Sequence, residues 1–440
     1  MDIRGNRARP RQLSTGLAGG AVLGLASALA TALGYLFTVV LARSFSAGDY
    51  GALVALLGAG LIGTIPAAGF QYVVARRTVG LGLPAGRNDG PALRLAAAAG
   101  LGLLVVLAAV SPVARAYLHL HGVGPVLALA AALVPLTVAG AFQGALLGHR
   151  RFAALGAVFV VSALARLAGG VATALAGWGV TGALVTLAVA AVLSTAFAGL
   201  LTGPGSWGPI GTERAGGLAR STLQACSTVA GIMVLTNIDL LLARHYLDAD
   251  ASGAYGVASL FAKAVVWGSQ FVAQAAYPAL ARAQGRRRLL LRTLAATAGI
   301  GLLAVGFTAL AGDLVVRVVT GTDSYGDATG LVTKFALLGL AWSLAQVLLL
   351  AAVAVGDRRP GRLLWGLIAA EAAVVAAGLH SSPGEILSVC TVAVVAFIAV
   401  VGVLEWSARP TGPAPDAVPA PVPEPVPAVG STGPADPAGR

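Results

Sequence analysis

Four ionisable residues lie inside long apolar stretches of this sequence, namely Arg166, Asp239, Lys263 and Glu371. A charged side chain near the centre of a bilayer costs about 2.5–3.5 kcal/mol on insertion scales, so such a residue usually faces a cavity or a partner. A cation placed there can attract an anion, and an acid can bind a cation or pair with a base. These four residues are therefore the candidate functional site.

The composition indicates a polytopic membrane protein. Of the 440 residues, 57% are hydrophobic and only 10% are charged, whereas a soluble protein carries about 25% charged residues. The 59 glycines suit membrane helices that pack closely. The net charge of +12 is interpreted as a set of topology signals, so no nucleic-acid partner is expected. Cys226 and Cys390 have no disulfide or metal-binding spacing, and neither a metal nor a cofactor is predicted.

The apolar runs are uninterrupted, which favours helices over the alternating segments of a β-barrel. Because about 20 apolar residues cross the hydrocarbon core, we predict about twelve spans. They lie at 16–41, 51–75, 92–112, 124–148, 153–176, 179–202, 220–243, 254–281, 289–311, 329–355, 362–380 and 385–407. Only Gly177-Trp178-Gly179 separates the fifth span from the sixth, so one fewer span is the main alternative.

Most lysines and arginines fall in loops that lie inside if the N-terminus is inside. We therefore predict a multi-pass protein of the cell membrane with both termini in the cytoplasm. The first apolar run follows four arginines and is too long for a signal-peptide core, so it is interpreted as a retained helix.

The sequence contains a duplicated unit. An apolar run ends in Leu-Ala-Arg at Arg43 and again at Arg244, and each arginine is followed by a short loop and a Tyr-Gly pair. Six spans precede and six follow a glycine-rich linker, which predicts two pseudo-symmetric six-helix lobes with a substrate site between them. The predicted organisation is a basic N-terminus (1–15), an N-lobe (16–202), a cytoplasmic linker (203–219), a C-lobe (220–408) and a disordered Pro/Ala-rich tail (409–440).

Pro66, Pro135 and Pro278 lie inside predicted spans, and each removes a helix hydrogen bond and tends to kink the helix. They are candidate bending points. Arg43 and Arg244 lie at outer helix ends, where interfacial anchoring explains them. Trp178, Trp267 and Trp342 could contact a sugar, although an interfacial aromatic belt is the commoner reason for tryptophan in a membrane protein.

Three segments carry a family resemblance. They are LGYLFTVVLARSFSAGDYGALVAL, FQGALLGHRRFAALGAVFVVSALARLAGGVATALAGWGVTGALV and LTNIDLLLARHYLDADASGAYGVASLFAKAVVWGSQFVAQAAYPALAR. They resemble the polysaccharide biosynthesis and oligosaccharide flippase family of the multidrug/oligosaccharidyl-lipid/polysaccharide (MOP) exporter superfamily. The resemblance covers roughly residues 15–405, which is every span but not the tail.

The resemblance implies a V-shaped cavity between two lobes, and transfer of an undecaprenyl-diphosphate-linked oligosaccharide from the inner to the outer leaflet by alternating access. Lys263 and Arg166 would then line the cavity and hold the diphosphate, arginine through paired hydrogen bonds and lysine as a point charge. Asp239 and Glu371 would bind a coupling Na⁺ or H⁺, or would pair with a positive charge. For Asp239 the basic partner would be Lys263 or Arg244. Expected partners are the lipid-linked glycan, membrane lipids and glycan-assembly proteins.

Two alternatives come from the same superfamily. A cation-coupled multidrug (MATE-type) exporter often has an acid in its first span, and this chain has none there. A flippase for the peptidoglycan lipid precursor tends to have more spans and basic residues in the first two. A third alternative is a membrane scaffold whose Pro-rich tail recruits partners. The sequence has no HExxH, no P-loop and no large loop for catalysis, so an enzyme is not expected.

Overall fold

The protein is described by a computed structural model that covers residues 10–80, 90–203, 230–280, 286–321, 326–355, 357 and 359–407. Most of the predicted linker, the first half of the seventh span and the C-terminal tail lie outside the described residues. Within them the chain is helical and forms no strand, so the predicted all-α fold is confirmed.

The helices of the first half are α1 (Pro10–Ser44), α2 (Ala47–Gly63), α3 (Ile65–Gly80), α4 (Gly90–Tyr117), α5 (Gly124–Gly148), α6 (Phe152–Ala176) and α7 (Gly179–Thr202). The second half contains a short helical stretch at 230–235, followed by α8 (Ile238–Tyr246), α9 (Ala249–Leu280), α10 (Arg286–Thr320), α11 (Gly326–Ala354), α12 (Arg359–Ala376) and α13 (Pro383–Ser407).

Nine segments of the described chain are long and apolar enough to cross a membrane. These nine segments coincide with nine of the twelve predicted spans. The other three are the seventh span (the stretch at 230–235 and α8), the eighth (most of α9) and the eleventh (α12). The fifth and sixth spans are separate helices. Gly177 ends α6 in the left-handed region, with φ of 65°, which is the usual glycine conformation at a helix C-terminus.

The second predicted span is divided near its middle into two helices. α2 ends at Gly63, Thr64 caps it, and Pro66 is the second residue of α3. Pro135 lies within α5, which continues through it, and Pro278 lies in the last turn of α9. The sequence analysis missed Pro112 in α4. There the Ser111 hydroxyl donates to the Ala108 carbonyl at 2.7 Å, which replaces the amide hydrogen bond that Pro112 cannot make.

The same helix pairs pack together in both halves, as the duplicated unit predicts. α3 packs along α5 in the first half, and α9 packs along α11 in the second. A glycine permits each contact: a Cβ at Gly140 would lie 2.2 Å from the Ala67 carbonyl oxygen, and one at Gly339 would lie 2.4 Å from that of Ala262. Close backbone approach through small residues is how membrane helices gain packing energy.

We expect Gly140→Ala to lower the melting temperature of the purified protein in detergent by several degrees. The added methyl group would force α3 and α5 apart, and overpacking of this kind costs about 1–3 kcal/mol. Gly102→Ala is the matched control, because no atom lies within 4 Å of a Cβ built there. Equal melting temperatures for the two variants would contradict the assigned packing.

The two halves meet where the first turns of α2 and α9 cross. A Cβ at Gly253 would lie 2.2 Å from the Ala47 carbonyl oxygen, and one at Gly51 would lie 2.8 Å from the Ser252 hydroxyl. Tyr50 and Tyr255, the tyrosines of the duplicated unit, are both completely buried there. We call this contact between residues 47–54 and 249–257 the outer seam, because it lies at the end of the bundle that the topology prediction places outside.

Candidate functional site

A small pocket lies midway along the bundle, between the seventh, eighth and tenth spans, and Leu61 of α2 also lines it. Its enclosed volume is about 40 Å³. Six of the side chains that line it can form hydrogen bonds: Asn237, Lys263, Trp267, Gln270, Trp342 and Gln346. We call this cavity the central pocket.

Lys263 is the cation of the central pocket. α9 carries it, and its ammonium group donates to the Asn237 side-chain oxygen at 2.9 Å. The Asn237 amide nitrogen is itself held by the Met233 carbonyl oxygen at 2.8 Å. Asn237 therefore orients Lys263 without neutralising its charge.

A break in the seventh span supplies this partner. The stretch at 230–235 ends in a turn at Thr236 and Asn237, and α8 begins at Ile238. Backbone that leaves the helical path inside a membrane protein is tolerated where it lines a cavity. The sequence analysis identified Lys263 but missed both Asn237 and the break. A Thr-Asn pair inside an apolar run was the available signal.

Asp239 lies two residues beyond Asn237 and is completely buried. Its Oδ2 accepts a hydrogen bond from the Tyr255 hydroxyl at 3.2 Å, and no described residue bonds to its Oδ1. Lys263 donates its hydrogen bond to Asn237 and Arg244 donates its hydrogen bonds to backbone carbonyls in the first half, while Lys263 and Asp239 attract each other electrostatically without a direct hydrogen bond.

Glu371 of α12 is also buried, with 2% of its surface exposed. The Cys390 thiol of α13 donates to its Oε1 at 3.0 Å, and its Oε2 has no hydrogen-bond partner among the described residues. Tyr255 interacts electrostatically with Asp239, Glu371 and Cys390. The fold thus gathers these four side chains, which we call the carboxyl cluster, although the sequence analysis treated the two acids separately.

Arg166 lies in a different place. It is on α6, which packs against α1 and α7 of the first half, and it does not line the central pocket. Its Nε atom is buried with no hydrogen-bond acceptor among the described residues. The structure therefore does not bring Arg166 and Lys263 together around one bound group.

The central pocket combines the groups that bind a polar anion. A single ammonium group offers charge-assisted hydrogen bonds, the glutamines offer both donors and acceptors, and the two tryptophans offer apolar faces with a polar edge. No group of three or more His, Cys, Asp or Glu side chains in the described part of the chain is placed to hold a metal ion.

The fold is similar to that of solved transporters of the MOP superfamily. An inward-facing multidrug resistance transporter of the MATE family aligns with a TM-score of 0.65 at 13% identity, over 87% of this chain and 96% of that one. The lipid II flippase MurJ, in an inward closed conformation, aligns with a TM-score of 0.66 at 11% identity, over 88% of each chain. The eukaryotic MATE transporter AtDTX14 gives 0.62 at 13% identity, over 90% and 96%. At these identities the similarity establishes the fold.

A comparison of the sequence with known families identifies the family of this protein. Residues 40–326 match the family of polysaccharide biosynthesis proteins, and this segment is more than half of the chain. The protein belongs to that family, which confirms the resemblance found in its motifs. A comparison with curated proteins found no match.

Proposed function

We propose that this protein moves an undecaprenyl-diphosphate-linked oligosaccharide from the inner to the outer leaflet by alternating access. The position of Lys263 in the central pocket carries the proposal, because a membrane-embedded ammonium group without a bonded acid is suited to an anionic substrate. Membership of the polysaccharide biosynthesis family and the MOP fold support the same function.

In this proposal the Lys263 ammonium group exchanges its hydrogen bond to Asn237 for one to a phosphate oxygen. The exchange is favourable because a hydrogen bond to an ionised group is stronger than one to a neutral amide. Trp267 and Trp342 would contact the first sugars, and Gln270 and Gln346 would hydrogen-bond to their hydroxyl groups. Arg166 remains a proposed contact for phosphate in another state of the transporter.

The carboxyl cluster is proposed to couple transport to a Na⁺ or H⁺ gradient. Asp239 and Glu371 each keep one buried oxygen without a hydrogen-bond partner among the described residues, which is an expensive arrangement unless a cation or a proton binds there. The break at Asn237 lies two residues from Asp239, so occupancy of the cluster can influence the pocket through α8.

The remaining features fit this function. The two halves, joined at 203–219, would be the moving lobes, with Pro66, Pro135 and Pro278 as bending points and both termini in the cytoplasm. Proteins that assemble the glycan would supply the substrate on the inner side.

The test is reconstitution in vesicles with a fluorescent polyprenyl-diphosphate-linked oligosaccharide. We expect protein-dependent movement between leaflets, and none for ethidium, which represents the drug-export alternative. Absence of lipid movement under every Na⁺ and H⁺ condition would contradict the proposal, and gradient-driven ethidium export would support the alternative.

We expect Asp239→Asn and Glu371→Gln each to remove most of the stimulation of transport by the coupling gradient. Each substitution removes a charge while keeping the shape of the side chain. The measurement is the initial rate with and without the gradient. Asp313→Asn is the control, because Asp313 is exposed on α10. Full stimulation in both test variants would exclude the carboxyl cluster from coupling.

A further inference from the structure

The two arginines of the duplicated unit reach across to the opposite half of the molecule. Arg244, at the end of α8, is buried, with 8% of its surface exposed. Its Nε donates to the Leu118 carbonyl oxygen at 3.0 Å, and its Nη2 donates to that of His119 at 3.4 Å. These two carbonyls follow the end of α4 in the first half.

Arg43 makes the corresponding contact in the other direction. It lies at the end of α1, and its guanidinium group donates to the Val318 carbonyl oxygen in the last turn of α10. The side chain lies against Gly321, with its Cγ 3.5 Å from the position of a Cβ at that glycine. Both arginines end the first span of their own half and bind the end of the third span of the other half.

The two acceptor helix ends share a geometry. α4 is followed by His119, with φ of 52°, and α10 is followed by Gly321, with φ of 70°. In both, a residue in the left-handed region ends the last turn. A hydrogen bond closes this turn, from Leu120 N–H to Arg115 O at 3.0 Å after α4, and from Gly321 N–H to Arg317 O at 2.8 Å after α10. The remaining carbonyls at such an end lack amide partners and carry the negative end of the helix dipole, so they attract a cation.

Ring contacts reinforce the Arg244 side of this arrangement. His245 stacks on Tyr117 with a centroid distance of 3.9 Å and an interplanar angle of 4°, and its Nδ1 lies 2.8 Å from the Tyr117 carbonyl oxygen. Tyr246 stacks on His380, between α12 and α13, with a centroid distance of 4.1 Å. The end of α8 therefore contacts residues of both halves at the same end of the bundle.

We propose that Arg43 and Arg244 form a reciprocal latch that holds the two halves together at the predicted outer end. The latch closes over the outer seam, and it must open before the central pocket can communicate with the outer face. Backbone carbonyls are suitable acceptors for this purpose because they bind the guanidinium group without making a buried ion pair that would be hard to separate. Interfacial anchoring, the role expected from the sequence, does not explain why each arginine crosses to the other half.

The latch rests on the proposed alternating access but not on the identity of the substrate, so it can be tested without substrate. Leu61→Cys, in a background of Cys226→Ser and Cys390→Ser, places one reactive thiol in the central pocket. A membrane-impermeant maleimide is added to the outer or to the inner face of oriented vesicles. We expect slow labelling from the outer face in this parent, and at least about tenfold faster labelling when Arg43→Ala and Arg244→Ala are added.

Arg115→Ala is the matched control, since Arg115 is an exposed arginine near the same end of α4. It should leave labelling from the outer face unchanged. A melting temperature in detergent close to that of the parent shows that each variant is folded. An unchanged outer rate in the folded double variant would overturn the latch, and so would an equal rise in the Arg115 variant.

If the double variant fails to fold, Arg43→Ala alone decides the matter, because its exposed side chain can be removed without opening the core. It should raise the outer rate by a smaller factor, and no rise would overturn the proposal. Failure of the unaltered protein to move the glycan, together with faster outer labelling of the double variant, would count against the proposed function and not against the latch.

Discussion

Oxidation of the double variant Gly48→Cys/Ala249→Cys should stop transport of the lipid-linked oligosaccharide, and reduction should restore it. A Cβ at Gly48 would lie 2.9 Å from the Ala249 Cβ, so the two positions face each other across the outer seam. A disulfide needs a Cβ–Cβ separation of about 3.5–4.5 Å, which a small outward shift of the first turns provides.

This effect should be the largest of those predicted, because a covalent bond prevents one of the two states that alternating access requires. The measurement is leaflet-to-leaflet movement in vesicles before and after oxidation, with disulfide formation followed by intact mass after alkylation. Each single-cysteine variant serves as a control and should keep its rate after oxidation. A fully cross-linked protein that still transports would show that the outer seam does not open during transport.

Lys263→Ala should lower the transport rate by roughly ten- to a hundredfold. A hydrogen bond to a charged group contributes about 1.5–3 kcal/mol, and about 1.4 kcal/mol corresponds to a factor of ten. Removal of the ammonium group also leaves the Asn237 side-chain oxygen without its donor. The loss should appear as weaker substrate binding as well as slower movement, measured from the concentration dependence of the initial rate.

The chain offers a matched control in Lys334→Ala, since Lys334 is the second of its two lysines and lies exposed on α11. Its rate should stay close to that of the unaltered protein. Lys263→Arg keeps the charge and should retain more activity than Lys263→Ala. If alanine at position 263 transported as well as lysine, the central pocket would not be the phosphate site.

The duplicated unit shows how far sequence analysis can go in this protein. The recurrence of Leu-Ala-Arg and Tyr-Gly predicted two similar halves, and the structure shows the same helix pairs packed in both. It also directed attention to Arg43 and Arg244, but the expected role was anchoring. Their acceptors are backbone carbonyls, which any residue type supplies, so no sequence pattern could have identified them.

The carboxyl cluster shows a second limit of what can be predicted from this sequence. Asp239 and Glu371 were both identified as unusual, because a charge in an apolar run is visible in a single sequence. Their association with Tyr255 and Cys390 was not visible, since these side chains come from four helices. Lys263 presents the same case, because its partner Asn237 is 26 residues away in the sequence.

The sequence by itself determined that the chain crosses the membrane as helices, since apolar length and the need to satisfy backbone hydrogen bonds leave little choice. It also determined the family, through motifs spread along the spans. Only the tertiary structure decided which charge meets which partner. Arg244 and the Leu118 carbonyl that it binds are 126 residues apart, and their contact depends on how the helices pack. Packing in a membrane is set by small residues and close backbone approach, which leave only a weak trace in one sequence.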